Sequence, residues 1–402
     1  MITPESSESL RTIVRREAAW RDLTVRWSAI NSGSDHASGL ARMLAELEAA
    51  FGVFPASAER LMPAAGALAP SLSVRCRPEA PVRVLLNGHY DTVFGADDPF
   101  KTPRLVSPDV LNGPGVADMK GGIVVMLAAL TALERHPAAG RIGWEVLLTS
   151  DEESGSHGSR AHLAAAAGRN HLGLVFEPSP EGDDVVRTRK GTASLFVEAR
   201  GRAAHSSLAR TEGRNAIVAL AEFLGAAHRL NDEIDGLILN VASIAGGGAA
   251  NIVPDRARAE LHLRLARAAD GDRALARLRE FAAAINGREG FHLGISGGIN
   301  RPPMETTFAD DRWCAELQAC GQALGQRIAR RDVGSASDAN FLAAAGLPVI
   351  DGLGVDGDAL HCDREFCRLG SLARRAQLTA LLLMRLAEGA FAPPPRSAPF
   401  PP

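Results

Sequence analysis

The chain of 402 residues has no apolar run of about 18 residues, the length a membrane-spanning helix needs. Its first twenty residues, MITPESSESLRTIVRREAAW, lack the basic-then-apolar layout of a signal peptide. Cysteine is sparse: Cys76, Cys314, Cys320, Cys362 and Cys367, an odd number with no CxxC pair. That argues against a disulfide framework and reads as free thiols in a reducing compartment, so a cytoplasmic protein is expected. Neither sign of charge dominates, the formal net charge being −3, which points away from nucleic acid and from membrane surfaces as partners. No internal repeat is visible.

What is present is core material. Apolar residues make up 46% and charged residues 23% of the chain, enough for a sizeable core and too long for one ordinary domain. A helical pattern from Ser7 to Phe51 is broken near Asn31–Asp35 by NSGSD, a turn or N-cap cluster. Strands are expected at Val82–Gly88, Trp144–Ser150 and Leu172–Phe176, with a buried helix at Lys120–Arg135 and an Ala-rich helix before Leu172. These strands are apolar throughout, as in a helix-covered, mainly parallel sheet buried on both faces. After Val186 apolar and polar residues alternate. There the order is strand (192–200), helix (214–230), strand (237–244), strand (256–266), helix (272–285), strand (291–299), the βαββαβ order of a ferredoxin-like α+β unit. From Pro302 the helix/strand alternation resumes and ends on a strand, Pro348–Gly354. The expected division is 1–187 and 301–390 for an α/β catalytic domain, 188–300 for an inserted domain, and 391–402 for a disordered Pro-rich tail.

Ligands of open α/β sheets bind beyond the carboxyl ends of the strands. Val82–Gly88 is followed by His89 and Asp91, Trp144–Ser150 by Asp151, Glu152 and Glu153, Leu172–Phe176 by Glu177, and the last strand by His361. Asp118, in GPGVADMKGG, stands just before the long helix. Singly, each has an ordinary explanation: HxD a turn, DEESGS a helix cap, Glu177 a turn before Pro178, His361 a surface or core histidine. Together, imidazoles and carboxylates at successive strand ends suit zinc, cobalt or manganese.

The ordered set GHYDTV, GPGVADMKGG, TSDEESGS, VFEPS and a late His361 resembles metallopeptidase family 20, the di-zinc carboxypeptidase/aminoacylase family that includes glutamate carboxypeptidase, acetylornithine deacetylase and succinyl-diaminopimelate desuccinylase. The resemblance covers nearly the whole chain and implies a zinc-exopeptidase-like catalytic domain with an inserted lid and dimerisation domain. It implies that His89 and Glu177 hold one metal, Glu153 and His361 a second, and Asp118 both. Asp91 then orients His89, and Glu152 is the general base. His205, in RAAHSS, matches a lid histidine that stabilises the oxyanion across a homodimer; beside Ser206 and Ser207 it can equally be a cap. Asn251 and Arg264 match a pair that holds a substrate carboxylate. Lys120 reads as a helix-start residue rather than a catalytic lysine. Two departures, Gly334–Asp338 in place of a tighter glycine-rich turn and Cys362 after His361, bear on the substrate. The implied activity is hydrolysis of the amide bond of a dipeptide or N-acyl amino acid with a free carboxylate, using two divalent ions, zinc foremost with cobalt or manganese as alternatives. A narrow biosynthetic deacylase and an inactive metal-retaining binding protein are the competing readings.

Overall fold

The computed structural model describes residues 2–64 and 66–393. The expectation of a disordered tail falls mostly outside them. The chain forms two compact units: Met1–Thr188 with Thr306–Val333 and Ser337–Pro402, and Arg189–Glu305 with Gly334–Ala336.

The first unit opens with helices α1 (Pro4–Arg15), α2 (Glu17–Ser28) and α3 (Ala37–Phe51). Strands β1 (Ser57–Leu61), β2 (Ser71–Cys76) and β3 (Arg83–His89) follow, then a short pair, β4 (Arg104–Ser107) and β5 (Val110–Asn112). Next come α4 (Lys120–Leu133), β6 (Gly143–Thr149), α5 (Arg160–Arg169), β7 (Leu172–Val175) and β8 (Val185–Arg189). The second unit holds β9 (Gly191–Arg200), α6 (Ala216–Glu233), β10 (Ile238–Gly246), β11 (Arg256–Leu265), α7 (Ala268–Asn286) and β12 (His292–Arg301). The chain then returns to the first unit with α8 (Phe308–Ala323), β13 (Arg330–Val333), α9 (Asp338–Ala344), β14 (Val349–Ile350), β15 (Gly357–Asp358), β16 (Phe366–Arg368) and α10 (Leu369–Glu388).

The main sheet runs β1-β2-β6-β3-β7-β14. β6, β3, β7 and β14 are parallel, and β2 and β1 are added antiparallel. Because β6, β3 and β7 are parallel neighbours, their carboxyl ends lie side by side at one edge. All seven residues of β6 are buried, as a strand covered on both faces requires. On one side α4 packs against β3 and against α10, α1 and α2; on the other α5 packs on β3 and β6, and α9 on β7. Every residue of α4 except Thr131 is buried, so this helix has no wet face.

The second unit is one antiparallel sheet in the order β10-β11-β9-β12 with α6 and α7 packed on it and on each other. Counted along the chain that is 2-3-1-4, the ferredoxin-like arrangement. Ala257, Ala259, Leu261, Leu263 and Leu265 fill its core from alternate positions of β11, while Arg258 and Glu260 face outward.

Two sequence expectations need correction. The strand at Pro348–Gly354 shrinks to Val349–Ile350. His361 does not simply follow the last strand of the main sheet; it sits in the turn between β15 and β16, in a small antiparallel sheet β15-β16-β5-β4. Its strands are two to four residues long, too short for a period-two signal.

Candidate active site

His89 is the last residue of β3, Glu153 lies in the turn after β6, and Glu177 lies two residues beyond β7. Asp118 stands just before α4. Parallel pairing therefore delivers three of these side chains to one sheet edge, and the buried helix start adds the fourth. Asp118 Oδ1 is 3.1 Å from His89 Nε2, and Asp118 Oδ2 is 3.2 Å from His361 Nε2. Glu177 Oε1 lies 3.7 Å from His89 Nε2, and Glu153 Oε2 lies 3.3 Å from His361 Nε2. One carboxylate thus spans two imidazoles, and each imidazole has a further carboxylate of its own. Donor atoms of His89, Asp118 and Glu153 all fall within 4.8 Å of one another.

Electrostatics follow from this crowding. Burial alone would lower the His89 pKa, but its hydrogen bonds to Asp118 and Asp91 and the charge of Glu177 raise it well above the usual range. Hydrogen bonds to Asp118 and Glu153 push His361 up to about 11. Burial, reinforced by the charge of Asp118, pushes Glu153 up to about 8. Burial opposes ionisation of Asp118 too, but the two histidines hold it below the carboxylate range. The neighbouring carboxylates favour the protonated form of both imidazoles. Three carboxylates and two imidazoles at these distances fit a pair of divalent cations, whose charge would displace those protons.

Asp91 is fully buried under the cluster. Its Oδ1 lies 3.3 Å from His89 Nδ1 and accepts the N–H of Glu152 at 3.2 Å. Its Oδ2 accepts from the N–H of Glu153 at 3.1 Å and from Ser34 Oγ at 2.7 Å. The turn carrying Glu152 and Glu153 is therefore fixed to the same carboxylate that touches His89. Asp151–Glu153 do not cap a helix: α5 begins only at Arg160, with Ser159 at its cap. Lys120 starts α4 as expected; its buried Nζ donates to Ile30 O at 2.6 Å, and burial lowers it to about 7. A cavity of about 680 Å³ opens beside His361 and Cys362, lined also by Phe94, Phe100, Lys101 and Arg104.

His205, Asn251 and Arg264 belong to the second unit. Ser206 N donates to Asn251 O at 2.9 Å, so His205 and Asn251 lie on neighbouring segments. The ring of His205 also caps: its Nδ1 accepts from Ser207 N at 3.3 Å, which makes Nε2 the N–H donor of the neutral ring. Arg264 is elsewhere. It pairs with Thr192 and Ile238 near the end of β11, whereas Asn251 lies in the loop before that strand. At roughly 3.3 Å per residue, the extended run from Arg256 to Arg264 is about 26 Å long, and Asn251 comes before it in the chain. Within one chain Asn251 and Arg264 therefore lie toward opposite ends of β11.

Two contributors escaped the sequence. Ser34 lay in a segment read only as a turn, and Glu365, four residues after His361, was not singled out. Its carboxylate accepts from the N–H groups of Gly115, Ala117 and Asp118. The only sequence signal was an acid close to a candidate ligand.

A model of peptidase family M20/M25/M40 matches residues 85–385. Over 320 residues the chain is 31% identical to carboxypeptidase G2 of Pseudomonas sp. (strain RS-16), covering 76% of this chain and 74% of that one. It is 30% identical over 282 residues to a succinyl-diaminopimelate desuccinylase of Maricaulis maris (strain MCS10), covering 64% and 70%. Among solved structures it resembles the aminopeptidase PepT of Bacillus cereus ATCC 10987, with a TM-score of 0.76 at 19% identity over 92% of this chain and 99% of that one. The chain belongs to peptidase family M20/M25/M40. It is a metallo-hydrolase of the carboxypeptidase, dipeptidase and desuccinylase type.

Proposed function

We propose that the protein cleaves the amide bond of a dipeptide or N-acyl amino acid that carries a free carboxylate, with two zinc ions held through Asp118. The observation that supports it most is the division of the Asp118 carboxylate, one oxygen to His89 and the other to His361. His89 and Glu177 would hold one ion, Glu153 and His361 the other. When bound, such a pair polarises the scissile carbonyl and acidifies the attacking water. Glu152 takes that water's proton on its carboxylate and returns it to the leaving nitrogen, so the amine departs neutral. Asp91, through His89 Nδ1 and the N–H groups of Glu152 and Glu153, keeps base and ligands in register.

Arg264 offers a planar fork that fits the substrate carboxylate in a bidentate fashion. His205, with Nε2–H as donor, stabilises the tetrahedral oxyanion, and Asn251 assists it. One chain keeps these groups toward opposite ends of β11, which supports a homodimer as the assembly in which one substrate meets both. There Arg264 of one protomer acts together with the partner's His205 and Asn251. The cavity beside His361 is large enough for an acyl group or side chain, and the intact Glu152 favours an enzyme over a silent metal-binding protein.

The test is turnover of a panel of N-acyl amino acids and dipeptides, each with its α-carboxylate free or amidated, by wild type and Glu152→Gln. The free acids turn over and the amides do so poorly. Glu152→Gln keeps its metal and loses about 10²–10⁴-fold in kcat. Near-normal kcat in that variant, or equal turnover of acid and amide, would refute the reading.

A further inference from the structure

We propose that Glu365 is a positioning residue for the metal-bridging carboxylate of Asp118, fixing the loop that carries Asp118 to the turn that carries His361. The inference rests on the two-metal reading above.

The loop from Gly113 to Asp118 leaves β5 and enters α4 without regular structure of its own. Its N–H groups are buried and need acceptors, since an unpaired buried N–H is costly. Glu365 supplies them. Its Oε2 accepts from Gly115 N at 3.0 Å, and its Oε1 accepts from Ala117 N at 2.9 Å and Asp118 N at 3.1 Å. Gly115 has φ +70°, a conformation that favours glycine, and it helps turn these N–H groups toward one carboxylate.

The same residue also anchors His361. Glu365 N donates to Cys362 O at 3.0 Å, closing the turn that begins at Cys362, the residue after His361. Glu365 O accepts from Gly113 N at 3.2 Å and from Asn112 Nδ2 at 2.7 Å. Glu365 is 1% exposed. One buried side chain that gathers three backbone N–H groups fixes their directions together, as separate acceptors would not. It therefore sets the backbone of Asp118 at a spacing from His361 that lets Oδ1 reach one imidazole and Oδ2 the other.

Glutamine in its place has one acceptor oxygen, and its NH₂ group faces N–H donors. Aspartate keeps the two carboxylate oxygens but recedes from the loop by one methylene.

The experiment is calorimetric titration of Zn²⁺ into metal-free wild type, Glu365→Gln and Glu365→Asp. Visible spectra of the Co²⁺-loaded forms and thermal unfolding of the metal-free forms accompany it. Wild type takes up two ions. Glu365→Gln unfolds within a few degrees of wild type when metal-free, binds zinc about 10–100-fold more weakly, and shows an altered Co²⁺ spectrum. Should Glu365→Gln fail to fold, Glu365→Asp carries the same expectation. Wild-type affinity together with a wild-type Co²⁺ spectrum in the folded variant overturns the role of Glu365. So does a lower unfolding temperature with metal binding unchanged. Fewer than two ions in wild type itself overturns the two-metal reading and the role together.

Discussion

Asp91 makes four contacts from one buried carboxylate: His89 Nδ1, the N–H groups of Glu152 and Glu153, and Ser34 Oγ. Replacing it by asparagine keeps the shape but gives one end an NH₂ group that meets N–H or O–H donors. Asp91→Asn is expected to weaken metal affinity about 10–100-fold. Ser34→Ala, which removes one of the four contacts, should cost less. Competition with a chelator of known affinity measures both, and equal losses would contradict the ranking. The sequence brought out Asp91 because an acid two residues after a strand-end histidine has an evident job. It did not bring out Ser34 or Glu365. Ser34 meets Asp91 across a separation of 57 residues, and Glu365 meets Asp118 across 247. No local pattern encodes such pairings.

At the scale of elements, the site depends on α4 lying very close to the end of β7. Gly122 allows that approach, since a Cβ there would fall 2.1 Å from the carbonyl oxygen of Phe176, the residue before Glu177. Gly122→Ala should therefore push α4 and the Glu177 segment apart. Overpacking of this kind costs about 1–3 kcal/mol. Urea unfolding of the metal-free protein reads the loss, and unchanged stability would show that the contact gives way freely. The long elements were legible: α4 and β6 are buried nearly throughout and read as mainly apolar runs. The strands flanking His361 were not, because two or three residues paired mostly by backbone carry no hydrophobic period.

For the whole molecule, the ferredoxin-like unit was legible as an order of elements, its two faces separating cleanly along β11. The distance between Asn251 and Arg264 was not, since residue spacing says nothing of which way a hairpin runs. That distance leads to a sorting of variants by complementation in mixed dimers. Glu152→Gln paired with His205→Ala, or with Asn251→Ala, leaves one site with every working group and should regain activity. Glu152→Gln paired with Arg264→Ala should not regain activity if the latter two act in the same protomer's site, provided each parent homodimer is inactive. Equal behaviour of Asn251→Ala and Arg264→Ala in this assay would contradict the division of labour between protomers.

The central claim is that Asp118 joins two metal ions in one centre. Its most direct measurement is the number of zinc ions bound per chain, by titration of metal-free protein, in wild type and in Asp118→Asn. The amide offers one acceptor where the carboxylate offers two. Wild type should bind two ions tightly, and Asp118→Asn should retain at most one with comparable affinity. A wild type that binds fewer than two, or an Asp118→Asn protein that binds two as tightly as wild type, would contradict the account.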